Sequence, residues 1–261
     1  MNRSEFLKSL GLPLFTLMAH GTARAAFPPP LLPGVNVVYQ DPSPVQKIWA
    51  LAMSGMLAEM YRRNHAVIGH PPRTEADIKT GFDNLANGWR IRNQTDLQRR
   101  LDYFRTEGSS AEFNRIVRDI IGATPGKINQ LKARYEGSPQ VLHQMYLVEK
   151  FYPILGAKSL IAFDLARFVM LCRAAYEAEF MTENQVWNTI YPQAIVLQRT
   201  FSSWKEVGEN YILGTAFVSA NEYDKEQTRL DEALNRLLTI KQSPWVQLPW
   251  NLNLERPAVQ R

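Results

Sequence analysis

The residue types that carry chemistry are sparse in this chain, and their spacing limits what they could do. The histidines are His20, His65, His70 and His143. His65 and His70, five apart at a helix end, do not share a helical face, and no third ligand lies near, so no metal site is expected. Gly122-Ala123-Thr124-Pro125-Gly126-Lys127 has the look of a phosphate loop. It fails on the glycine spacing, on Ile128 where a hydroxyl residue is required, and on the lack of a preceding strand pattern. There is no Gly-x-Ser-x-Gly elbow, His-Glu-x-x-His helix or glycine-rich dinucleotide turn, so no cofactor is implied. Cys172, the sole cysteine, sits in a dense apolar run and reads as a buried structural thiol.

Carboxylates and arginines offer more. Asp164 and Arg167 are three apart inside an apolar helical pattern and so share one stripe. Charges there must be paired or hydrogen-bonded, because desolvating either alone costs several kcal/mol, roughly. The two are expected to meet each other or a nearby partner, as a register-fixing ion pair or as the polar floor of a pocket. Glu177 and Glu183 could form an acid/base pair, but each has a simpler use. Glu177 follows Arg173 by four residues, and Glu183 falls in the first turn of a helix, where negative charge is favoured.

The elements that must position these groups are helices. From Ala162 to Gly214 three helical patterns follow one another, the first (Lys158 to Phe180) apolar almost all round and hence enclosed by its neighbours. Thr182-x-x-Gln185 and Ser203-x-x-Glu206 are capping boxes that start the second and third. Val186, Ile190, Ala194, Leu197 and Phe201 make a buried stripe, with Pro192 expected to kink it. Gly208 and Gly214 predict close backbone approach by another helix.

These residues resemble a known family. Phe163-Asp164-Leu165-x-Arg167, Glu183 to Trp187, Leu197-Gln198, Phe201-Ser202-Ser203-Trp204 and Asn210-Tyr211-x-Leu213-Gly214 are similar to motifs of the bacterial domain of unknown function 1266 family. Gly88-Trp89-Arg90-Ile91 with Asp96-Leu97, and Ser243-Pro244-Trp245-x-x-Leu248-Pro249-Trp250, resemble its upstream and closing motifs, so the likeness covers residues 88–250. The resemblance implies a helical bacterial protein and carries no activity to transfer.

The remaining chain frames this core. With 261 residues and 45% hydrophobic content it can bury a core without disulfides or metal. Met1 to Ala25 reads as a secretory signal peptide: Arg3 and Lys8, an apolar run from Leu10 to Ala19, then Ala23-Arg24-Ala25. Asn2 to Lys8 also resembles a degenerate twin-arginine motif, with Ser4 in place of the second arginine. The apolar run is too short to span a bilayer, which takes roughly 20 residues. Without residues 1–25 the net charge falls from +5 to +3, too little to argue for nucleic acid. Residues 26–42, with Pro28, Pro29, Pro30 and Pro33, read as an extended arm.

From Ser43-Pro44-Val45-Gln46 a long helix is expected to about Asn64. Further helices are expected from Thr74 to before Gly88, after capping boxes at Thr95 to Gln98 and Ser109 to Glu112, from Gly126 to Glu136, from Ser138 to Tyr152 and from Asp224 to Lys241. Trp245 and Trp250 should clasp the bundle.

The expectation is therefore an all-α, single compact multi-helix domain (residues 43–250) around a buried central helix, preceded by the arm and followed by a tail (251–261). In function it is a periplasmic or secreted protein that binds a protein partner, for example an immunity-type antagonist of a toxin. It has no transmembrane segment in its mature chain and does not bind nucleic acid. The alternative is a cell-envelope hydrolase using carboxylates in a helical pocket. No catalytic residue is singled out. The candidate binding residues are Trp89, Asp164, Arg167, Arg173, Trp204 and Tyr211, with the Tyr103-Phe104 pair as a further aromatic patch.

Overall fold

The structure is a computed structural model that describes residues 41–70 and 74–255, so the expected signal peptide and nearly all of the Pro-rich arm lie outside the described residues. Among those residues there are helices and no strands. In order they are α1 (Pro44–Ala52), α2 (Gly55–Met60), α3 (Glu75–Asn84), a π-helical turn (Leu85–Trp89), α4 (Gln94–Thr106), α5 (Gly108–Ile120) and α6 (Pro125–Arg134). Then come α7 (Pro139–Leu155), a 3-10 turn (Gly156–Lys158), α8 (Ile161–Glu177), α9 (Glu183–Thr200), α10 (Trp204–Val218), α11 (Ala220–Thr239) and α12 (Pro244–Gln247).

α8 is the central helix that its all-round apolar pattern predicts, with α2, α3, α4, α5, α9 and α10 packed about it. From Ile161 to Ala175 every residue is buried except Arg167. The stripe of α9 is buried as read, from Val186 through Phe201, and Pro192 is accommodated within the helix. Two glycines let α10 come close to its neighbours. A Cβ on Gly214 would strike the Phe163 ring, and one on Gly208 would strike Leu234 and Trp245. Trp245 and Trp250 do clasp the bundle: with Trp49 and Trp204 they form one aromatic cluster, in which Trp204 and Trp245 stack at 5.5 Å.

Four helix boundaries differ from the expectation, one through a group distant in sequence and three through local caps and turns. The helix expected to reach about Asn64 breaks between Ala52 and Gly55. Trp245 Nε1 donates to the Ala52 carbonyl at 2.9 Å, occupying the acceptor that an unbroken helix would offer to Met56. The start expected at Thr95 lies two residues earlier, because Asn93 accepts from the Asp96 amide at 2.9 Å and leaves Thr95 inside α4. α3 ends at Asn84, but its path continues through Gly88 as the π turn, closed by Arg90 in the left-handed region at φ 58. α7 passes through Pro153, which falls in the last turn, and stops instead at Gly156 with φ 52. The capping boxes at Ser43, Thr74 and Thr182 form as local pairs. At Ser203 only half of the box forms: the hydroxyl accepts from the Glu206 amide, while the Glu206 carboxylate turns to Ser202 and Lys158.

Two glycine substitutions separate close approach from mere permissiveness. Gly214→Ala should destabilise by about 1 to 3 kcal/mol through overpacking against Phe163. Gly126→Ala, in α6 with nothing near its Cβ position, should stabilise by about 0.5 to 1 kcal/mol. Urea denaturation of both variants reads the opposite signs directly.

Candidate functional site

Of the two outcomes expected for Asp164, pairing with Arg167 or binding a nearby partner, the second is found: no ion pair within 4 Å joins it to Arg167, although their charges still interact. Its carboxylate is instead the N-terminal cap of α5. Oδ1 accepts from the Ser109 amide at 2.9 Å and Oδ2 from the Ser110 amide at 2.7 Å. This replaces the local capping box expected at Ser109 to Glu112. Gly108 makes it possible on two counts, a φ of 50 and a Cα lying so close to Asp164 that a Cβ would sit 2.6 Å from Oδ2.

A second distant cap supports the first. Asn210 on α10 accepts from the Ala162 amide at 3.1 Å through Oδ1, and its Nδ2 donates to the Ser159 carbonyl at 2.7 Å. Ser159 is fully buried, holds φ 46, and donates from Oγ to the Ser110 carbonyl at 3.1 Å. A non-glycine residue at that φ is strained, and these bonds hold it there. α10 thus caps the start of α8, and α8 caps the start of α5. Asn210 and Ser159 were not singled out from the sequence. The sequence signal for Asn210 is a polar residue within an apolar motif; Ser159 carries none.

Burial pushes the Asp164 carboxyl above its ordinary value of 3.8, against the lowering effect of Ser110, the Ser109 amide and Arg167. Burial alone would also raise Glu206, but Lys158 and Ser202 overcome it and hold that carboxyl below the usual range. Burial pushes the Cys172 thiol and the Tyr211 hydroxyl well up, so Cys172 is a buried thiol rather than a thiolate nucleophile.

The other candidate residues divide into three places. Arg173 is 1% exposed and serves the loop after α2, donating from Nη2 to the Asn64 carbonyl at 2.6 Å and from Nε to the Ile68 carbonyl at 3.3 Å. Burial, then the neighbouring Arg63, brings its pKa down to about 10 against the opposing charge of Glu177. Glu177 is not paired with Arg173 as its spacing would allow; Arg63 takes it in a two-pronged bond at 2.8 and 3.0 Å. Glu183 accepts from Trp187 Nε1 at 2.9 Å and lies 3.8 Å from Lys47. Trp204 is buried in the tryptophan cluster, with Nε1 donating to the Leu248 carbonyl at 3.3 Å.

Trp89, Arg167 and Tyr211 are linked through the rings of Phe104 and Phe163. Arg167 lies against the Phe104 and Phe163 rings at 5.2 and 5.1 Å. Trp89 meets Phe104 edge-on at 6.2 Å, Tyr103 meets Phe104 at 5.5 Å, and Phe163 meets Tyr211 at 5.4 Å. Trp89, Tyr103 and Arg167 are half-buried, while Phe104, Phe163 and Tyr211 are core. Beside Tyr103 an open groove of about 920 Å³ runs along α4, lined by Arg90, Gln94, Asp96, Arg99, Arg100 and Glu107 among others. Among the described residues no group of three or more His, Cys, Asp or Glu side chains could hold a metal, and no helix is long and apolar enough to cross a membrane.

The raised Asp164 value has a sign that can be tested. Between the ordinary carboxylate value and the raised folded one, the unfolded chain has released a proton that the folded chain retains. Stability contributed by this group is therefore greatest below the ordinary value and is lost as pH rises through the window. Urea denaturation from pH 4 to 8 should show wild type losing stability relative to Asp164→Asn. Asp164→Ala, which strands two helix-end amides, should cost about 2 to 4 kcal/mol at any of these values.

A family model with the description "Protein of unknown function (DUF1266)" matches residues 84–250 of the chain. The match takes in the π turn, both distant caps, Arg167 and the tryptophan clasp, and agrees with the resemblance seen in the motifs. No curated protein and no solved structure matches the chain.

Proposed function

The chain belongs to the DUF1266 family of proteins of unknown function, and from that premise we propose that it is an exported, non-catalytic helical protein that binds a protein partner, in the manner of an immunity-type antagonist of a toxin. One observation carries the reading. Asp164 and Asn210, the buried polar side chains of the family motifs, are bound into the fold, whereas the aromatic and arginine face at Trp89, Tyr103 and Arg167 is left half-exposed.

Catalysis requires groups of perturbed protonation aimed at a site that substrate can enter. Asp164 has the perturbation, but both of its oxygens accept helix-end amides and it is 2% exposed. Binding asks for less: amphipathic aromatic side chains and arginine on a rigid base, the residue types that dominate interface energetics. Trp89 and Tyr103 have that base in Phe104, which is 2% exposed. The export half of the reading is supported by the sequence of Met1 to Ala25 alone.

Affinity capture from an envelope extract at mild salt tests the binding half. A specific partner should be retained by the wild type and lost with Trp89→Ala and Tyr103→Ala, while thermal melting shows both variants folded. Consumption of esters or muropeptides by the purified protein, abolished in a folded Asp164→Asn variant, would replace this reading with the hydrolase. The export half predicts a mature chain that begins at Ala26, read by N-terminal sequencing of the periplasmic fraction; recovery of intact Met1 from the cytoplasm overturns it.

A further inference from the structure

We propose that Arg167 is the recognition residue of this face and that it seats a carboxylate, an acidic side chain of the protein partner, at a slot formed by the solvent-facing edge of its guanidinium, which the Phe104 and Phe163 rings back. The proposal rests on the partner-binding reading and names the chemistry of the contact.

Arg167 is the one residue through which the central helix reaches the surface between Ile161 and Ala175. Its nearest carboxylate in sequence, Asp164, is occupied by the Ser109 and Ser110 amides. Among the described residues Arg167 makes no hydrogen bond and no ion pair, and none of its nitrogens is among the buried atoms without a partner, so its donors open to solvent. An arginine in this state is unusual in a helix otherwise so buried, because a half-desolvated cation is stable only with compensation. The two phenyl rings supply part of it as cation–π contacts. They also restrict the rotamers of the side chain, so less entropy is lost when it binds. What is left open is a planar fork of N–H donors, whose geometry matches the two oxygens of a carboxylate.

The surroundings select the kind of anion. Arg90 beside Trp89, and Arg100 lying 5.5 Å from the Tyr103 ring, have no carboxylate partner among the described residues, so the local field attracts negative charge. Asp96, Asp102 and Glu107 stand on or at the end of the same helix α4. Asp96 and Asp102 are paired with Arg99 and Arg105, so a continuous polyanion laid across this face would meet the Glu107 carboxylate and disturb those two pairs, whereas a single carboxylate entering the slot does neither. Trp89 and Tyr103 then supply apolar contact for the carbon stem that carries the carboxylate.

The test follows the Arg167 Nε–Hε resonance by NMR in the full-length protein labelled at arginine, titrated with N-acetyl-glutamate amide, its glutamine counterpart and inorganic phosphate. The glutamate probe should shift the resonance saturably and the glutamine probe should not. Arg167→Lys, which keeps the charge but lacks the fork, should weaken glutamate binding about tenfold, read in this and the next variant by the indole N–H resonance of Trp89 in uniformly labelled protein. Arg167→Gln should abolish it, with thermal melts showing which variants are folded. Equal shifts from glutamate and glutamine, tighter binding of phosphate than of glutamate, or unchanged binding in Arg167→Lys would each overturn the assignment. Envelope capture separates this proposal from the one it rests on. Equal retention of a specific partner by wild type and Arg167→Lys leaves partner binding standing and removes Arg167 from it. Saturable glutamate binding with no partner retained keeps the slot and removes the partner reading.

Discussion

A helix end buried in a protein leaves amides that water cannot reach, and here the Asp164 carboxylate answers for those of α5. Much of the architecture depends on that bond. Asp164 can reach Ser109 and Ser110 only because α8 starts where it does, and α8 starts there because Asn210 binds the Ala162 amide and the Ser159 carbonyl. Asn210 is in place because α10 begins at Ser203 and Glu206 is tied to Lys158 and Ser202. Three helices that meet at one point are thus ordered by caps drawn from one another. The favourable alignment of a carboxylate with the positive end of α5 adds to the two hydrogen bonds and offsets part of the cost of burying the charge.

Opposite faces of α8 do different work. Asp164 and Arg173 are nine residues apart, which places them roughly 180° apart around a helix. One side holds α5 by its amides; the other holds the loop after α2 by the carbonyls of Asn64 and Ile68. A carboxylate accepts from amides and a guanidinium donates to carbonyls, so each buried charge is matched to backbone groups of the sign it can satisfy. The Nη1 of Arg173 is left over, a buried donor without a partner among the described residues, and the two-pronged bond of Arg63 to Glu177 lies near its guanidinium.

The sequence was legible wherever the deciding interaction was local. Thr182 with Gln185 and Ser43 with Gln46 are pairs three residues apart, and both form as their spacing predicts. The buried stripe of α9 and the all-round burial of α8 follow from periodicity in the same way. Legibility fails where a distant group enters. Nothing near Ala52 announces that Trp245 will take its carbonyl, and nothing near Ser109 announces that its cap lies 55 residues onward. Asp164 and Arg167 illustrate the limit most clearly. Their spacing marked both as charges needing partners, but the choice between pairing with each other and pairing elsewhere depended on the backbone conformation of Gly108, which lies on another helix.

That choice has a consequence for any search for function in this fold. Had Asp164 paired with Arg167, the two charges would have closed on one another and the central helix would have been sealed. Because the α5 amides bind the carboxylate, the guanidinium one turn along is left with its donors unmatched, packed against rings and only distantly attracted by Asp164. The cap and the slot are therefore coupled without sharing a ligand. Phe163 immediately precedes Asp164 and also packs under Gly214 and beside Tyr211, so whatever disturbs the cap shifts a ring that backs the slot. Loss of binding in an Asp164 variant would thus be expected even though Asp164 never meets a partner. A residue can be assigned to recognition on this protein only when its substitution leaves the three-helix junction intact, and Arg167, whose side chain takes no part in the caps, meets that condition where Asp164 and Asn210 do not.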